Sequence, residues 1–140
     1  MAPSCLLYFV GLNKRLANIR HHSLFFDTSF EALANEIYSN PQWPSAPVFY
    51  ASATSVTDNS VAPAGCENLF LLIPVSAGLE GDDANTRDIY FDKIMSRMEQ
   101  RIGEKIKEHR IYKKPFSVSD FVSEYNSFKG NAYGLANTLL

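Results

Sequence analysis

Two apolar segments on either side of one loop constrain the fold of this chain most. Residues 48–57 alternate in part between two faces, and residues 69–75 are apolar at nearly every position. A continuous apolar run of this length is typical of a strand covered on both faces, so we expect residues 69–75 to lie near the middle of a sheet. Pro74 belongs at a strand end, an edge or a bulge, because proline cannot donate a hydrogen bond to a neighbouring strand.

Shorter patterns predict the remaining elements. Residues 5–11 and 109–116 are expected to form strands, and residues 23–26 a short strand that pairs with the first. Thr28 and Glu31 have capping-box spacing at the start of one helix, and Ser117 with Asp120 opens the last one. Between them, apolar residues at three- and four-residue spacing predict a helix from Thr86 that stops at Gly103.

The order of these elements predicts the fold class. Strands, helix, strands, helix, strand and helix follow one another without internal repeats. This order favours an α+β fold, with a mostly antiparallel or mixed β-sheet and helices packed on one face.

Composition limits the function classes. A chain of 140 residues with 46% hydrophobic residues is one globular domain, and its formal charge of −2 gives no reason to expect nucleic acid as a partner. No apolar run approaches the roughly 20 residues that span a bilayer. Cys5 and Cys66 are too few for a disulfide framework and predict free thiols in a reducing cytoplasm. Both ends are apolar, so we expect residues 1–140 to be cut from a longer polypeptide.

The sequence carries none of the common catalytic signatures. It has no Gly-x-Gly-x-x-Gly, P-loop, Gly-x-Ser-x-Gly or His-Glu-x-x-His motif. His21 and His22 are adjacent beside a strand and should point to opposite faces, which favours surface histidines over a metal site. No histidine base is placed near Cys66. The remaining acidic residues of the region are interpreted as a solvated loop and helix start: Asp82, Asp83, Asp88 and Asp92. Catalytic residues stay unknown, and no metal is expected.

Two segments remain as candidate sites. Small hydroxylated residues on a central strand leave room for a pocket wall, although ordinary strand packing is the favoured explanation. These are Ser52, Thr54 and Ser55. Near the end of the chain, two glycines flank small residues and a tyrosine, which is typical of unusual backbone angles or of close approach to a ligand. This segment contains Gly130, Asn131, Ala132, Tyr133, Gly134 and Leu135.

The terminal segment resembles the Gly-x-Ala-Tyr-Gly-Leu element of carotenoid desaturases of the phytoene desaturase type, flavoproteins related to the amine oxidases. The resemblance runs along nearly the whole chain. It includes Ser-Cys-Leu-Leu-Tyr-Phe-Val-Gly from Ser4, His-His-Ser-Leu-Phe-Phe-Asp-Thr from His21, Pro-Val-Phe-Tyr-Ala-Ser-Ala-Thr-Ser from Pro47, and Glu-Asn-Leu-Phe-Leu-Leu-Ile-Pro-Val from Glu67.

The resemblance implies a role for the chain inside a larger protein. It implies part of the substrate-binding domain of an FAD-dependent enzyme that desaturates a phytoene-like polyene by hydride transfer to the flavin. FAD is expected in the parent protein and not on this fragment, which is expected to be inactive alone. Residues 130–136 are then expected near flavin and substrate, and Ser52, Thr54 and Ser55 at the wall of an apolar channel. The parent is expected to be cytoplasmic and peripheral to the inner face of a membrane.

Other functions remain open at this point. One alternative is a flavin-free binding or assembly module whose apolar faces serve a partner, and another is a carotenoid isomerase or saturase of the same superfamily. If the chain is a truncated domain, its orphaned apolar face is expected to cause self-association.

Overall fold

The computed structural model describes residues 2–134, which contain one five-stranded sheet. Its order is β2-β3-β4-β1-β5, and each neighbouring pair is antiparallel. The strands are β1 Ser4–Leu12, β2 His22–Phe25, β3 Phe49–Ser52, β4 Glu67–Val75 and β5 Arg110–Phe116. The α+β class and the central place of β4 are therefore confirmed. Pro74 lies one residue before the end of β4, as its missing N–H requires.

Three α-helices accompany the sheet among the described residues. They are α1 Phe30–Ala34, which continues as a π-helical turn over Asn35–Ser39, α2 Ala84–Ile102 and α3 Val118–Tyr125. The helix α2 ends at Gly103, whose φ of 72° is the left-handed conformation that glycine adopts at low cost. The predicted capping box of Ser117 and Asp120 opens α3.

One face of the sheet packs against α2 and forms the main core. Tyr8 of β1 meets Phe91 of α2 edge to face at 5.1 Å and donates its hydroxyl to the carbonyl of Arg87. Ile94, Met95 and Met98 are fully buried on the same side. Each large apolar side chain buried here stabilises the fold by about 1.5–3 kcal/mol.

The opposite face of the sheet is only partly covered. Along β4 the residues alternate between buried and half-buried, and Phe9 of β1 is 42% exposed. At one corner α3 packs on this side, where the rings of Phe121 and Phe116 meet edge to face with their centroids 4.9 Å apart. The expectation that β4 is covered on both faces is therefore wrong for the described residues. We call this side the open face and define it by Leu7, Phe9, Tyr50, Phe70, Leu72 and Pro74.

Three local predictions are corrected by the structure. The second strand pairs with β3 and not with β1, because β1 already has β4 and β5 as its neighbours. The first helix is capped by Ser29, whose side chain accepts from Ala32 N, while Thr28 donates to the carbonyl of Ala46. The strand predicted over residues 48–57 ends at Ser52, since Thr54–Val56 form a 3₁₀ turn.

Candidate functional site

The open face is an apolar strip that follows the long axis of β1 and β4. Leu7 lies opposite Leu72 and Phe9 opposite Phe70 in the antiparallel register, and the two phenylalanine rings are 5.4 Å apart. At about 3.3 Å per residue, the apolar side chains of the strip from Phe70 to Pro74 extend over about 13 Å along β4. The two candidate segments lie at its opposite ends, and the structure does not bring them together.

Ser52 and Thr54 lie at one end of the strip, beside a shallow cavity of about 320 Å³. The Thr54 hydroxyl donates to the side-chain oxygen of Asn68 at 2.9 Å. The cavity is lined by Phe9, Val10, Gly11, Ser52, Thr54, Asn68, Leu69, Phe70 and Tyr112. Residues of a channel wall must lie beside such a cavity, as Ser52 and Thr54 do. That they form the wall of a substrate channel stays a prediction.

Ser55 lies in a buried polar cluster and not on the cavity wall. Its hydroxyl donates to the Glu67 carboxylate and accepts from Asn68 N at 2.9 Å. The fully buried carboxylate of Glu67 also accepts from Leu16 N at 3.1 Å and lies 3.6 Å from Arg15 Nε. These hydrogen bonds explain the presence of a serine at position 55 without any ligand. Glu67 was not singled out from the sequence, although a carboxylate at the start of an apolar strand is a signal for a buried partner.

Gly130 is held tightly at the other end of the strip. It is buried with a φ of 64°, and a Cβ added there would lie 2.3 Å from the carbonyl oxygen of Val118. Its own carbonyl accepts from the Ser4 hydroxyl, and Ala132 N donates to the carbonyl of Pro3. Residue 130 must therefore be a glycine, because a Cβ at this position would clash with Val118 at the start of α3.

The backbone of this segment is not arranged as a phosphate cradle. Gly130 N donates to Ser127 O, Asn131 N to Phe128 O and Gly134 N to Asn131 Oδ1. A dinucleotide diphosphate needs several free N–H groups directed at one point, and here they are already used. The described part of the segment thus does not fit the diphosphate of FAD. Proximity of the segment to flavin or substrate stays a prediction, and Leu135 and Ala136 lie outside the described residues.

A second cavity, of about 350 Å³, adjoins the Gly130 end. It is lined by Ala2, Pro3, Ile37, Tyr38, Pro41, Ser76, Ala77, Gly78 and Lys129.

Burial, helped by the neighbouring Cys5 and Tyr38, raises the pKa of Tyr133. Burial raises the pKa of the Cys5 thiol to about 12, so this cysteine is not ionised at neutral pH and is no candidate nucleophile.

The prediction that His21 and His22 point to opposite faces is wrong. Because His21 precedes β2, its ring does not point away from that of His22, and the two rings stack at 4.2 Å. His21 Nδ1 lies 2.7 Å from Thr57 Oγ1, and His22 Nδ1 lies 2.6 Å from the Tyr50 hydroxyl. Within residues 2–134 no three His, Cys, Asp or Glu side chains gather as a metal site.

The acidic loop before α2 is partly structural. Asp82 accepts two hydrogen bonds from Arg87, at 2.8 and 2.9 Å, and one from Ser119 N at 2.8 Å. Burial opposes its ionisation, but the hydrogen bonds from Arg87 and Ser119 outweigh burial, so the pKa of Asp82 lies below its ordinary value. Asp83 caps α2 by accepting from Thr86 N. The interpretation as part of a solvated loop is wrong for Asp82, whereas Asp83 is exposed at the helix start, as the sequence predicted.

Sequence comparison identifies the class of protein to which this chain is related. It is similar over nearly its whole length to carotenoid desaturases, oxidoreductases of carotenoid biosynthesis, and this confirms the resemblance inferred from its motifs. No family model matches the chain.

The individual relatives are all much longer than this chain. It is 37% identical over 138 residues to the carotenoid 3,4-desaturase of Haloarcula japonica, covering 99% of this chain and 28% of the relative. It is 30% identical to the 4,4'-diapolycopen-4-al dehydrogenase of Metabacillus indicus, over 99% of this chain and 28% of that protein. The lycopene-forming phytoene desaturase of Paracoccus sp. is 28% identical over 93% of this chain and 26% of its own length. The chain thus spans about 28% of the length of such relatives.

Proposed function

We propose that this chain forms one wall of an apolar substrate channel in an FAD-dependent oxidoreductase that desaturates a phytoene-like carotenoid precursor. The observation that carries the proposal is the open face, an apolar strip about 13 Å long on a sheet whose other face packs against α2. An apolar strip of this length matches one segment of an elongated hydrocarbon.

The chemistry of a polyene supports this assignment. A polyene hydrocarbon carries no charge and no hydrogen-bonding group, so its site must bind it by excluding water from apolar surface, at about 25 cal/mol per Å². Phe9, Phe70 and Leu72 provide such surface in a row, and none of them is charged or polar. In this proposal the chain binds and orients the hydrocarbon and takes no direct part in proton transfer.

FAD belongs to the proposal only as a group of the parent protein. When bound, it accepts the hydride that the polyene loses. The described part of the terminal segment offers no cradle for its diphosphate, since the amides of Gly130, Asn131 and Gly134 are already engaged. The chain alone is therefore proposed to be inactive.

We place the parent protein on the inner face of a membrane as a peripheral protein of the cytoplasm. Leu24, Phe26 and Phe30 support this placement, because they are 64%, 56% and 64% exposed at the β2 edge of the open face. Exposed aromatic and aliphatic side chains at the mouth of a channel suit contact with a lipid surface. Among the described helices, none combines the length and the apolar character needed to span a bilayer.

Polyene binding by the purified chain tests the proposal. The chain is mixed with phytoene in mild detergent, separated by gel filtration and assayed for retained polyene, with Leu72→Asp and Ile89→Asp as matched variants. Ile89 is an exposed apolar residue on α2, so its substitution controls for added charge. We expect retention by the wild type and Ile89→Asp and loss in Leu72→Asp. No retention by any form, with self-association through the open face, would instead identify an assembly module.

A further inference from the structure

A hydrogen-bonded pair of side chains stands at the edge of the open face. Tyr50 lies directly opposite Leu72 in the register of β3 and β4, and its ring meets Phe70 edge to face at 6.5 Å. Its hydroxyl therefore extends beyond the apolar strip, where it lies 2.6 Å from Nδ1 of His22 on the edge strand. The pair combines an apolar ring that is part of the strip with a polar group at its margin.

The imidazole of this pair is fixed by its own neighbours. The His22 ring stacks on that of His21 at 4.2 Å, and His21 is held in turn by Thr57 Oγ1 at 2.7 Å from its Nδ1. His21 also accepts a backbone hydrogen bond from Ala53 N at 2.8 Å, which anchors it beside β3. A side chain positioned from two sides loses little further freedom when its partner binds a ligand.

The Tyr50 hydroxyl has more hydrogen-bonding capacity than its contact with His22 uses within residues 2–134. A phenol has one O–H donor and two acceptor lone pairs, and a neutral imidazole nitrogen is either a donor or an acceptor. If the hydroxyl donates to His22, its lone pairs can accept from a ligand O–H. If His22 donates, the hydroxyl is free to donate to a ligand carbonyl.

We propose that Tyr50, positioned by His22, is a specificity-determining residue that hydrogen-bonds an oxygen atom near the end of an elongated apolar ligand. The ligand class is a polyene or long aliphatic chain that bears a hydroxyl or carbonyl group, with its hydrocarbon part on Phe70 and Leu72. This inference rests on the proposed function, because it requires the ligand to lie along the open face.

The proposal is tested with one pair of ligands that differ in one atom. All-trans-retinol, a polyene with a terminal hydroxyl, is compared with its deoxy analogue, in which hydrogen replaces the hydroxyl. Binding to the full 140-residue chain is measured by retinoid fluorescence at low protein concentration. One hydrogen bond to a neutral partner predicts that retinol binds about three- to ten-fold more tightly than the deoxy analogue.

Variants assign this preference to the pair. Tyr50→Phe removes only the hydroxyl and should abolish the preference, and His22→Phe, which keeps an aromatic ring for stacking, should reduce it. Two control variants should leave the preference for retinol unchanged. They are Tyr125→Phe, at an exposed tyrosine of α3, and Lys114→Met, at the lysine opposite Phe9. Circular dichroism checks that every variant is folded.

Four outcomes would overturn the proposal, and they differ in what else they overturn. Equal affinity of the wild type for both ligands, or a preference that survives Tyr50→Phe or disappears in Lys114→Met, contradicts the role of Tyr50 and leaves the channel wall in place. Binding of neither ligand contradicts both this role and the proposed function.

Discussion

Replacing Gly130 by alanine tests whether this glycine is required by packing inside the chain. The new Cβ would lie 2.3 Å from the Val118 carbonyl oxygen, 2.7 Å from Val118 Cγ1 and 2.9 Å from its carbonyl carbon. The nearest atom belongs to the backbone of α3, so the clash cannot be relieved by a change of rotamer. Either α3 or the turn before residue 131 must move.

The expected magnitude has two parts. An alanine with φ near 64° costs about 1–2 kcal/mol because its Cβ approaches the following carbonyl. Overpacking against α3 adds about 1–3 kcal/mol. Gly130→Ala should therefore lower the free energy of unfolding by about 2–5 kcal/mol, a large part of the 5–15 kcal/mol that is typical of a domain.

Gly103→Ala is the matched control. Gly103 has a similar φ of 72°, but nothing lies within 4 Å of a Cβ built there, so only the backbone cost of about 1–2 kcal/mol remains. Urea denaturation followed by circular dichroism measures both variants. If the two substitutions destabilise the chain equally, contact with Val118 is not the reason for the glycine and the packing argument is refuted.

Three further predictions follow from other parts of the structure. Because the pKa of Asp82 is lowered in the fold, its ionised form contributes stability that is present above about pH 4 and lost as the pH falls through the lowered value. Asp82→Asn should destabilise the chain at neutral pH and weaken the loss of stability in acid, as pH-dependent thermal melts will measure. Asp88→Asn, at a 65% exposed side chain that pairs with Lys113, should change the stability at neutral pH by about 1 kcal/mol or less. Phe9→Asp should raise the monomer fraction in light scattering if the open face drives self-association, and Ile89→Asp should not. Ser55→Ala leaves the buried Glu67 carboxylate without one donor and should cost about 1–3 kcal/mol in urea denaturation.

Features with a local cause could be predicted from the sequence. The helix α2 follows from apolar residues at helical spacing, and its end at Gly103 follows from the left-handed conformation that glycine tolerates. The capping box of Ser117 and Asp120 is likewise a matter of four consecutive residues. In each case the residues that determine the structure are neighbours along the chain.

Features that depend on distant residues could not be predicted. The pairing of β2 with β3 depends on the neighbours of β1, and the requirement for Gly130 depends on α3, which begins twelve residues earlier at Val118. The apolar run of β4 correctly indicated a central strand, but it could not indicate that one face is open in this chain. The polar cluster of Ser55 and Glu67 joins a turn to a strand, so no local pattern reveals it.

Methyl NMR with a bound polyene tests the central claim most directly. Leu7 and Leu72 lie on the open face, whereas their sequence neighbours Leu6 and Leu71 are fully buried on the face that packs against α2. With phytoene added to the methyl-labelled chain, we expect intermolecular NOEs to the methyl groups of Leu7 and Leu72 and none to those of Leu6 and Leu71. Bound phytoene that gives no NOE to Leu7 or Leu72 would contradict the assignment of the open face as the wall of the channel.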